Sequence, residues 1–493
     1  MKLPRLDSVS GPTLVIVAGR AVGFVAVFAI PMVLARIFST AEFGTYKQLF
    51  LLFSTLFGIA QLGMAESLYY FLPARPRDAG PHVANAIATL SLAGAGCVAL
   101  LWALRGPISG WFGNPQLSED LVLLGLLLAT MLIATMFEIV MISRHQHVKA
   151  AVTYAVSDLL RTLLFIVPAI GFRSLRGVLV GAVIFGFVRL AVMLVYLRRE
   201  FGRDLRVDVD VWRRQLAYAL PFALAVGIEV IQLNFHQYVV AARFDAATFA
   251  IYAVGCLQIP LVDLVMTSTT SVMMVQMAKS ATTGDRSGAL SLWHETVYKL
   301  AALMFPLTVF LIVAAKPVII ALFTTKYLAS VPIFAVFTLT VLPAAFAVDA
   351  VLRAYAQTRF LLVMNIVRFA LVVLLIVPLL WGFGLIGAVL VTLLSTVVFK
   401  ALGVIRITRL IGAGVADALP WGRLTAVTLR SLAAGVPAAW IVHSLALRPI
   451  LVVPIAAAAY GAVYAALSYG SLRAERPAGE LPATLAVVVT EDL

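Results

Sequence analysis

The residues with the clearest chemical potential in this sequence are arginines that interrupt long apolar segments. There are four of them: Arg20, Arg161, Arg189 and Arg368. An ionised side chain at the depth of a bilayer costs about 2.5–3.5 kcal/mol on insertion scales, so each needs a partner, a wet cavity or a function. A guanidinium keeps its charge at physiological pH and can hold a phosphate through two parallel hydrogen bonds. These arginines are therefore candidates for binding an anionic, phosphate-bearing ligand.

Acidic residues in the same segments allow a second interpretation, in which the arginines are structural charge partners. Asp158 and Arg161 stand three residues apart on one helix face, and this spacing favours an internal ion pair. The other three arginines have no acid three or four residues away, so their partners would come from other helices, with Glu66, Glu229 and Asp263 as candidates. Glu229 and Asp263 are equally candidates for ion coupling.

The sequence lacks the residue pattern that bond-making chemistry requires. It shows no paired carboxylates and no cluster of metal ligands, and His145 and His147 form an isolated pair without further ligands nearby. The two cysteines, Cys97 and Cys256, lie in apolar stretches and indicate no disulfide. We predict a protein that is not an enzyme and that uses no metal and no cofactor.

Composition indicates that the apolar segments are membrane spans. Hydrophobic residues make up 62% of the 493 residues and charged residues 12%, whereas soluble domains average about 45–50% and 25%. A spanning helix takes roughly 20 apolar residues, and only helices or closed barrels satisfy the backbone in lipid. We predict an all-α polytopic membrane protein with about 14 transmembrane helices, at 12–35, 46–72, 83–104, 121–142, 151–171, 177–197, 216–242, 249–277, 294–315, 330–352, 360–381, 384–405, 424–446 and 450–470.

Lysine and arginine residues in the loops predict the orientation of these spans. With a cytoplasmic N terminus, the cytoplasmic segments carry 22 of these residues and the opposite loops carry 9. Because positive residues accumulate on the cytoplasmic side, we predict an even number of spans with both termini cytoplasmic. The arginine-rich stretch 198–214 is then a cytoplasmic connection that fixes topology and contacts anionic lipid. We predict no nucleic-acid partner despite the net charge of +14, because binding of a nucleic acid would need a soluble basic domain and the sequence shows none.

An internal repeat indicates two halves, with chance similarity of short apolar strings as the alternative. Val33-Leu34-Ala35-Arg36 leads into Phe43-Gly44-Thr45-Tyr46, and Val240-Ala241-Ala242-Arg243 leads into Phe249-Ala250-Ile251-Tyr252. The offset is 207 residues at the arginine and 206 at the tyrosine, so a single-residue gap falls in the turn. An even number of helices per half gives both copies the same orientation, as in parallel-repeat transporters.

These residues resemble a known family. The chain resembles the polysaccharide-transporter branch of the multidrug/oligosaccharidyl-lipid/polysaccharide exporter superfamily. The residues that carry the resemblance are Ala35-Arg36, Glu42-Phe43-Gly44-Thr45-Tyr46, Gln61-Leu62-Gly63-Met64, Tyr70-Phe71-Leu72-Pro73 and the stretch from Ala315-Lys316-Pro317 to Val331-Pro332. The resemblance covers most of the chain and implies two six-helix lobes plus a terminal helix pair. The expected divisions are an N-terminal lobe at 1–200, a cytoplasmic linker at 201–215, a C-terminal lobe at 216–410, helices 13 and 14 at 411–472, and a cytoplasmic tail at 473–493.

Members of this branch carry lipid-linked oligosaccharides across bacterial inner membranes, from the cytoplasmic to the periplasmic leaflet. The resemblance thus implies an inner-membrane flippase for an undecaprenyl-pyrophosphate-linked repeat unit, which works by alternating access in the export of exopolysaccharide, capsule or O-antigen. Its implied partners are the lipid-linked oligosaccharide, membrane lipids, a polysaccharide polymerase and glycosyltransferases. A flippase for the peptidoglycan lipid precursor is the close alternative. An ion-coupled drug exporter and a membrane glycosyltransferase or polymerase are more distant ones.

The first span departs from the pattern of the superfamily's drug and cation exporters, which commonly rely on an acidic residue in their first helix. Nothing acidic lies between Pro12 and Arg36, and the ionisable residue in that span is Arg20. This favours an anionic ligand over a cationic drug. We predict that Arg20 and Arg368 hold the pyrophosphate, with Arg189 and Arg161 as further contacts.

Overall fold

The computed structural model describes Gly23 and residues 26–75, 78–414, 416–445 and 447–474 of the chain. Within these ranges the chain forms helices joined by turns and short 3-10 segments, and no strand occurs in them. Apolar segments of this length become helices because each helix satisfies its own backbone hydrogen bonds in lipid. The all-α prediction is confirmed. The chain divides into two compact units.

Unit 1 comprises Met1–Cys256 together with the short segments Leu322–Ser330 and Val372–Val389. Its helices in chain order are α1 (Ala26–Ile37), α2 (Thr40–Ala60), α3 (Met64–Ala74), α4 (Ala79–Ala103), α5 (Arg105–Trp111), α6 (Leu117–Ala134), α7 (Met136–Ser143), α8 (His147–Phe172), α9 (Leu175–Phe201), α10 (Val209–Arg243) and α11 (Ala246–Gly255). A buried apolar cluster joins α3, α4, α7 and α9 through Met64, Val83, Val140 and Met193. Ala150 of α8 and Ala219 of α10 also belong to this cluster.

Unit 2 comprises Leu257–Ala321, Val331–Leu371 and Leu390–Leu493. The remaining helices are α12 (Pro260–Thr283), α13 (Arg286–Val313), α14 (Ala315–Phe323), α15 (Ser330–Thr338), α16 (Val348–Ala354), α17 (Thr358–Ile411), α18 (Trp421–Ser444) and α19 (Pro449–Ala474), of which α14, α15 and α17 carry some residues of unit 1. Trp293 is fully buried in this unit, and its indole Nε1 donates to the carbonyl of Ala418 at 2.9 Å. The bond fixes α13 against the loop that precedes α18.

Helix α17 is interrupted at Gly384, where the backbone has φ +57° and ψ −142°. Only glycine adopts this region without steric cost. The 54-residue helix therefore consists of two legs, 358–383 and 385–411, which correspond to the two spans predicted at 360–381 and 384–405. A Cβ atom on Gly387 would overlap the carbonyl oxygen of Leu379, so the legs approach closely beyond the turn.

Eleven helices in the described ranges are long and apolar enough to cross a membrane. The chain is therefore a multi-pass membrane protein. Three features separate this number from the predicted 14. Helix α17 is a single helix in the count although it turns back at Gly384, the first helix is described continuously only from Ala26 onward, and the apolar helix α11 is short. The number 14 and the orientation of the termini stay predictions.

The two copies of the internal repeat adopt the same local structure. Ser39, three residues after Arg36, caps α2: its Oγ accepts from the N–H of Glu42 at 3.2 Å, and the Glu42 carboxylate accepts from the N–H of Ser39 at 3.0 Å. Asp245, two residues after Arg243, caps α11 and accepts from a backbone N–H one turn on at 2.7 Å. The single-residue gap between the copies thus falls between the arginine and the helix cap.

The two copies also pack directly against each other within unit 1. A Cβ atom on Gly44 would overlap the carbonyl oxygen of Ala246, so only glycine lets α2 approach α11 this closely. Phe43 beside it is fully buried against Phe323 and Tyr327, with ring centroids 6.4 and 5.6 Å away. These contacts fix the orientation of the first turns of α2, which carry part of the candidate site.

Candidate functional site

A cavity of about 360 Å³ lies inside unit 1, between α1, α2, α6, α8 and α9. Its polar lining residues are Tyr46, Lys47 and Arg161. The rest of the wall is apolar and includes five phenylalanine rings, those of Phe28, Phe50, Phe53, Phe165 and Phe185. An apolar pocket with a few convergent polar groups is the usual form of a ligand site. The two cations make this cavity suitable for an anionic ligand.

Arg161 is the predicted site residue that the structure places in this cavity. Its Nη2 lies 3.9 Å from Oδ1 of Asp158, so the ion pair predicted from their spacing is present. That distance exceeds the 2.7–2.9 Å or so of a charge-assisted hydrogen bond, so attraction between the charges alone holds the pair. The Nε of Arg161 is buried and has no hydrogen-bond partner among the described residues. Arg161 therefore carries a donor that the described residues leave unsatisfied.

Lys47 is a cavity residue that the sequence analysis missed. It directly follows Tyr46 and falls inside the apolar segment 46–72. In the structure it is half-buried on α2, with Nζ 5.5 Å from the ring centroid of Phe43. In the described part of the chain Lys47 has no ion-pair partner. A cation inside an apolar segment was the signal that could have identified it.

Arg189 occupies a different kind of environment. Its Nη2 donates to both carboxylate oxygens of Glu138, at 2.8 and 2.7 Å, and its Nη1 donates to the hydroxyl of Ser157. The side chains are 12% and 2% exposed. The acid that pairs with Arg189 is thus Glu138 on α7, and not Glu66, Glu229 or Asp263. Its terminal nitrogens are already engaged by protein groups.

Arg368, unlike Arg161, is not among the described residues that line this cavity. Arg20 lies outside the described residues. Arg368 lies in unit 2, where its Nη2 donates to the Thr396 hydroxyl at 3.2 Å and its guanidinium carbon lies 5.6 Å from the ring centroid of Phe399. Both contacts join the first leg of α17 to the second. Arg368 therefore links the two legs of this hairpin.

Three of the predicted acidic residues lie apart from the arginines. Glu66 is half-buried in the first turn of α3, and its Oε2 is a buried atom without a hydrogen-bond partner in the described ranges. Glu229 on α10 and Asp263 on α12 are exposed. As far as the chain is described, none of the three forms an ion pair. Asp158 is thus the predicted acid that the structure brings to a predicted arginine.

Carboxylates at helix starts outside the spans have a structural role. Hydrogen bonds from backbone N–H groups hold the pKa of Asp208, Asp245 and Asp285 below the ordinary aspartate value. These residues cap α10, α11 and α13. These three carboxylates therefore stabilise helix ends. The charged residues that line the cavity are Lys47 and Arg161.

The sequence matches known proteins over part of its length. The family described as "Polysaccharide biosynthesis protein" matches residues 33–332. Over 159 residues the chain is 29% identical to the probable lipid II flippase MurJ of Rhizobium meliloti (strain 1021). The aligned region covers 31% of this chain and 29% of that protein. The match therefore spans less than a third of this curated relative.

Solved transporter structures share the fold of this chain. The lipid II flippase MurJ in an inward closed conformation is similar with a TM-score of 0.70 and 13% identity, over 94% of this chain and 99% of that one. An inward-facing multidrug resistance transporter of the MATE family and MOP superfamily is similar with a TM-score of 0.58 and 15% identity. This similarity covers 79% of this chain and 95% of that one. At these identities the likeness establishes the fold.

Proposed function

The chain belongs to the polysaccharide biosynthesis protein family, and from that premise we propose that it is a flippase for a pyrophosphate-linked lipid saccharide. The substrate is an undecaprenyl-pyrophosphate-linked repeat unit of exopolysaccharide, capsule or O-antigen. It moves between the leaflets of the bacterial inner membrane by alternating access, and no covalent bond is made or broken. Glycosyltransferases supply the substrate, and a polymerase receives it.

The cavity in unit 1 is the observation that carries this proposal. Lys47 and Arg161 place two cations in a space of about 360 Å³ whose other lining residues, apart from Tyr46, are apolar. A doubly substituted pyrophosphate carries two negative charges and must lose water to cross a bilayer. Cations in a low-dielectric wall replace that hydration, because charge attraction is strongest where water is excluded. The phenylalanine rings exclude water around them.

Arg161 is suited to exchange partners during transport. Its pair with Asp158 at 3.9 Å is loose, and its Nε has no acceptor among the described residues. A phosphate accepts two parallel hydrogen bonds from a guanidinium, which a distant carboxylate does not match. When the substrate binds, Arg161 therefore turns from Asp158 to the phosphate. When the substrate leaves, Asp158 again neutralises the cation.

The pyrophosphate contacts predicted from the sequence for Arg20 and Arg368 are part of the same proposal. Arg20 and Arg368 contact the pyrophosphate in other stages of its passage, and replacement of either by alanine strongly reduces export. Lysine in either position keeps the charge without the bidentate geometry and retains partial function.

Polymer export in the native host tests the proposal. Deletion of the gene should stop export and cause the lipid-linked repeat unit to accumulate in the cytoplasmic leaflet. Lys47→Ala and Arg161→Ala should reproduce this defect at normal membrane levels of protein. Arg176→Ala is the matched control, because this arginine is 65% exposed and lies 3.7 Å from Glu119 outside the cavity. Wild-type export by both cavity variants would overturn the proposal.

A peptidoglycan lipid precursor is the second candidate substrate, and the sequence similarity to a probable lipid II flippase favours it. Its head group carries the same pyrophosphate, so the cavity accommodates either molecule. The candidates separate in cells depleted of their own lipid II flippase. Growth restored by this chain assigns the peptidoglycan precursor. Restored export without restored growth assigns the polysaccharide repeat unit.

A further inference from the structure

An exposed aromatic surface lies where α3 and α10 run side by side in unit 1. Tyr70 and Tyr218 stack with ring centroids 4.9 Å apart and planes at 13°, and the two residues are 53% and 51% exposed. Tyr70 belongs to the family motif Tyr70-Phe71-Leu72-Pro73, which takes no part in the cavity. We call these two residues the tyrosine platform.

Buried residues beneath the tyrosine platform fix its geometry. Phe71 meets the Tyr218 ring edge-on at 5.3 Å and stacks on the imidazole of His82 at 4.3 Å. His82 Nδ1 donates to Oε1 of Gln215 at 3.2 Å, and Gln215 donates to the hydroxyl of Ser67 at 2.9 Å. His82, Gln215 and Ser67 are at most 1% exposed. The rings are therefore oriented before any ligand arrives, which lowers the entropic cost of binding.

Two cations stand beside the tyrosine platform. Arg75 follows the last residue of α3, and Arg214 lies one helical turn before Tyr218 on α10. Both are exposed, and their charges, with that of Asp78, act on the imidazole of His82. Arginines at the ends of apolar helices extend to water. The platform thus lies at the level where water-soluble groups reach the protein.

We propose that the tyrosine platform binds the sugar of the lipid-linked substrate, with Arg75 and Arg214 directed at its pyrophosphate. The apolar face of a pyranose ring presents C–H bonds, and the electron-rich face of an aromatic ring attracts them. The tyrosine hydroxyls supply hydrogen bonds to the sugar hydroxyls. Stacking covers one face of each ring and leaves the exposed half of each side chain to the ligand.

The loop charges predict that this end of α3 faces the cytoplasm, which is the side on which the proposed substrate is assembled. The platform is then the loading site, and the cavity of Lys47 and Arg161 is a later one. The inference rests on the proposed function and adds the place where the saccharide is recognised.

The full-length protein in detergent allows a direct test with two probes. One is farnesyl pyrophosphate, and the other is farnesyl pyrophosphate that carries one N-acetylglucosamine. Wild-type protein should bind the sugar-bearing probe more tightly. Tyr70→Leu and Tyr218→Leu should weaken that binding about threefold to tenfold, the range expected for loss of one aromatic contact. Binding of the sugar-free probe should not change, which shows that the variants are folded.

A matched series separates sugar binding from anchoring at the membrane interface, where tyrosines are also common. Tyr218→Phe keeps the ring and should retain most of the affinity for the sugar-bearing probe. Tyr469→Leu removes a tyrosine that is 65% exposed on α19 and should have no effect. Unchanged affinity in both platform leucine variants would overturn the inference, as would a sugar that adds no affinity to wild type. The proposed function still stands if the sugar-free probe binds and depends on Arg161. If wild type binds neither probe, both fail.

Discussion

Replacement of Arg189 by methionine should destabilise the protein without acting on its ligand site. The side chain of Glu138 is 2% exposed and accepts two hydrogen bonds from Arg189, at 2.7 and 2.8 Å. Arg189→Met leaves this carboxylate buried without its cation. Breaking a buried pair in this way costs about 3–5 kcal/mol, because the remaining charge is uncompensated. Arg161→Ala should cost less, since the pair that it breaks is 3.9 Å long and about 30% exposed.

Thermal unfolding in detergent measures this difference. A thiol-reactive dye is suitable because Cys97 and Cys256 are free and buried, so they react when unit 1 unfolds. We expect a large fall in Tm for Arg189→Met and a clear recovery in the double variant Arg189→Met/Glu138→Gln, in which no buried charge remains unpaired. A wild-type Tm for the single variant, or a double variant no more stable than the single one, would refute the reasoning.

Three further predictions concern stability and the linker. Gly44→Ala should lower Tm by forcing two helices apart, whereas Gly461→Ala, which has open space around it, should not; equal Tm values would argue against the close approach. Asp245→Asn should leave stability less dependent on pH than wild type: the carboxylate's low pKa stabilises the fold above its unfolded pKa, and this contribution disappears as pH falls through the folded pKa. The free energy of chemical unfolding, measured between about pH 3 and 7, should show this difference. The same pH dependence in wild type and Asp245→Asn would contradict the prediction. The double replacement Arg203→Gln/Arg206→Gln should leave polymer export nearly intact, and lost export with normal insertion would show a role beyond topology.

Features that depend on local composition were predictable from the sequence. The positions of the helices follow from the apolar segments, and the repeat correctly indicated matching turns before α2 and α11. The helix break inside segment 46–72 was not predicted. There Leu62 and Gly63 adopt positive φ values of 51° and 64° and divide α2 from α3. The reason is tertiary, because a Cβ atom on Gly63 would lie 2.9 Å from the carbonyl oxygen of Ala219 on α10.

Side-chain partners were much less predictable, because helices that meet are distant in sequence. Arg189 and Glu138 are 51 residues apart, and nothing in either segment indicates that their faces meet. Arg161 and Asp158 were paired correctly because their spacing on one helix is local information. Lys47 was missed because it is the second residue of segment 46–72 and so borders on a predicted loop. The types of charged residue in the apolar segments can therefore be read from the sequence, whereas the fold decides which of them remain available to a ligand.

Transbilayer movement of a pyrophosphate-linked lipid in vesicles tests the central claim most directly. Purified protein is incorporated into vesicles with a fluorescent polyprenyl-pyrophosphate saccharide, and an impermeant quencher reports the fraction that moves between leaflets. Each charge-assisted hydrogen bond contributes about 1.5–3 kcal/mol, so Arg161→Ala and Lys47→Ala should each weaken substrate binding about tenfold to a hundredfold and slow the movement accordingly. Wild type and Arg176→Ala should move the lipid at equal rates. No movement by wild type, or equal rates in all four proteins, would contradict the account.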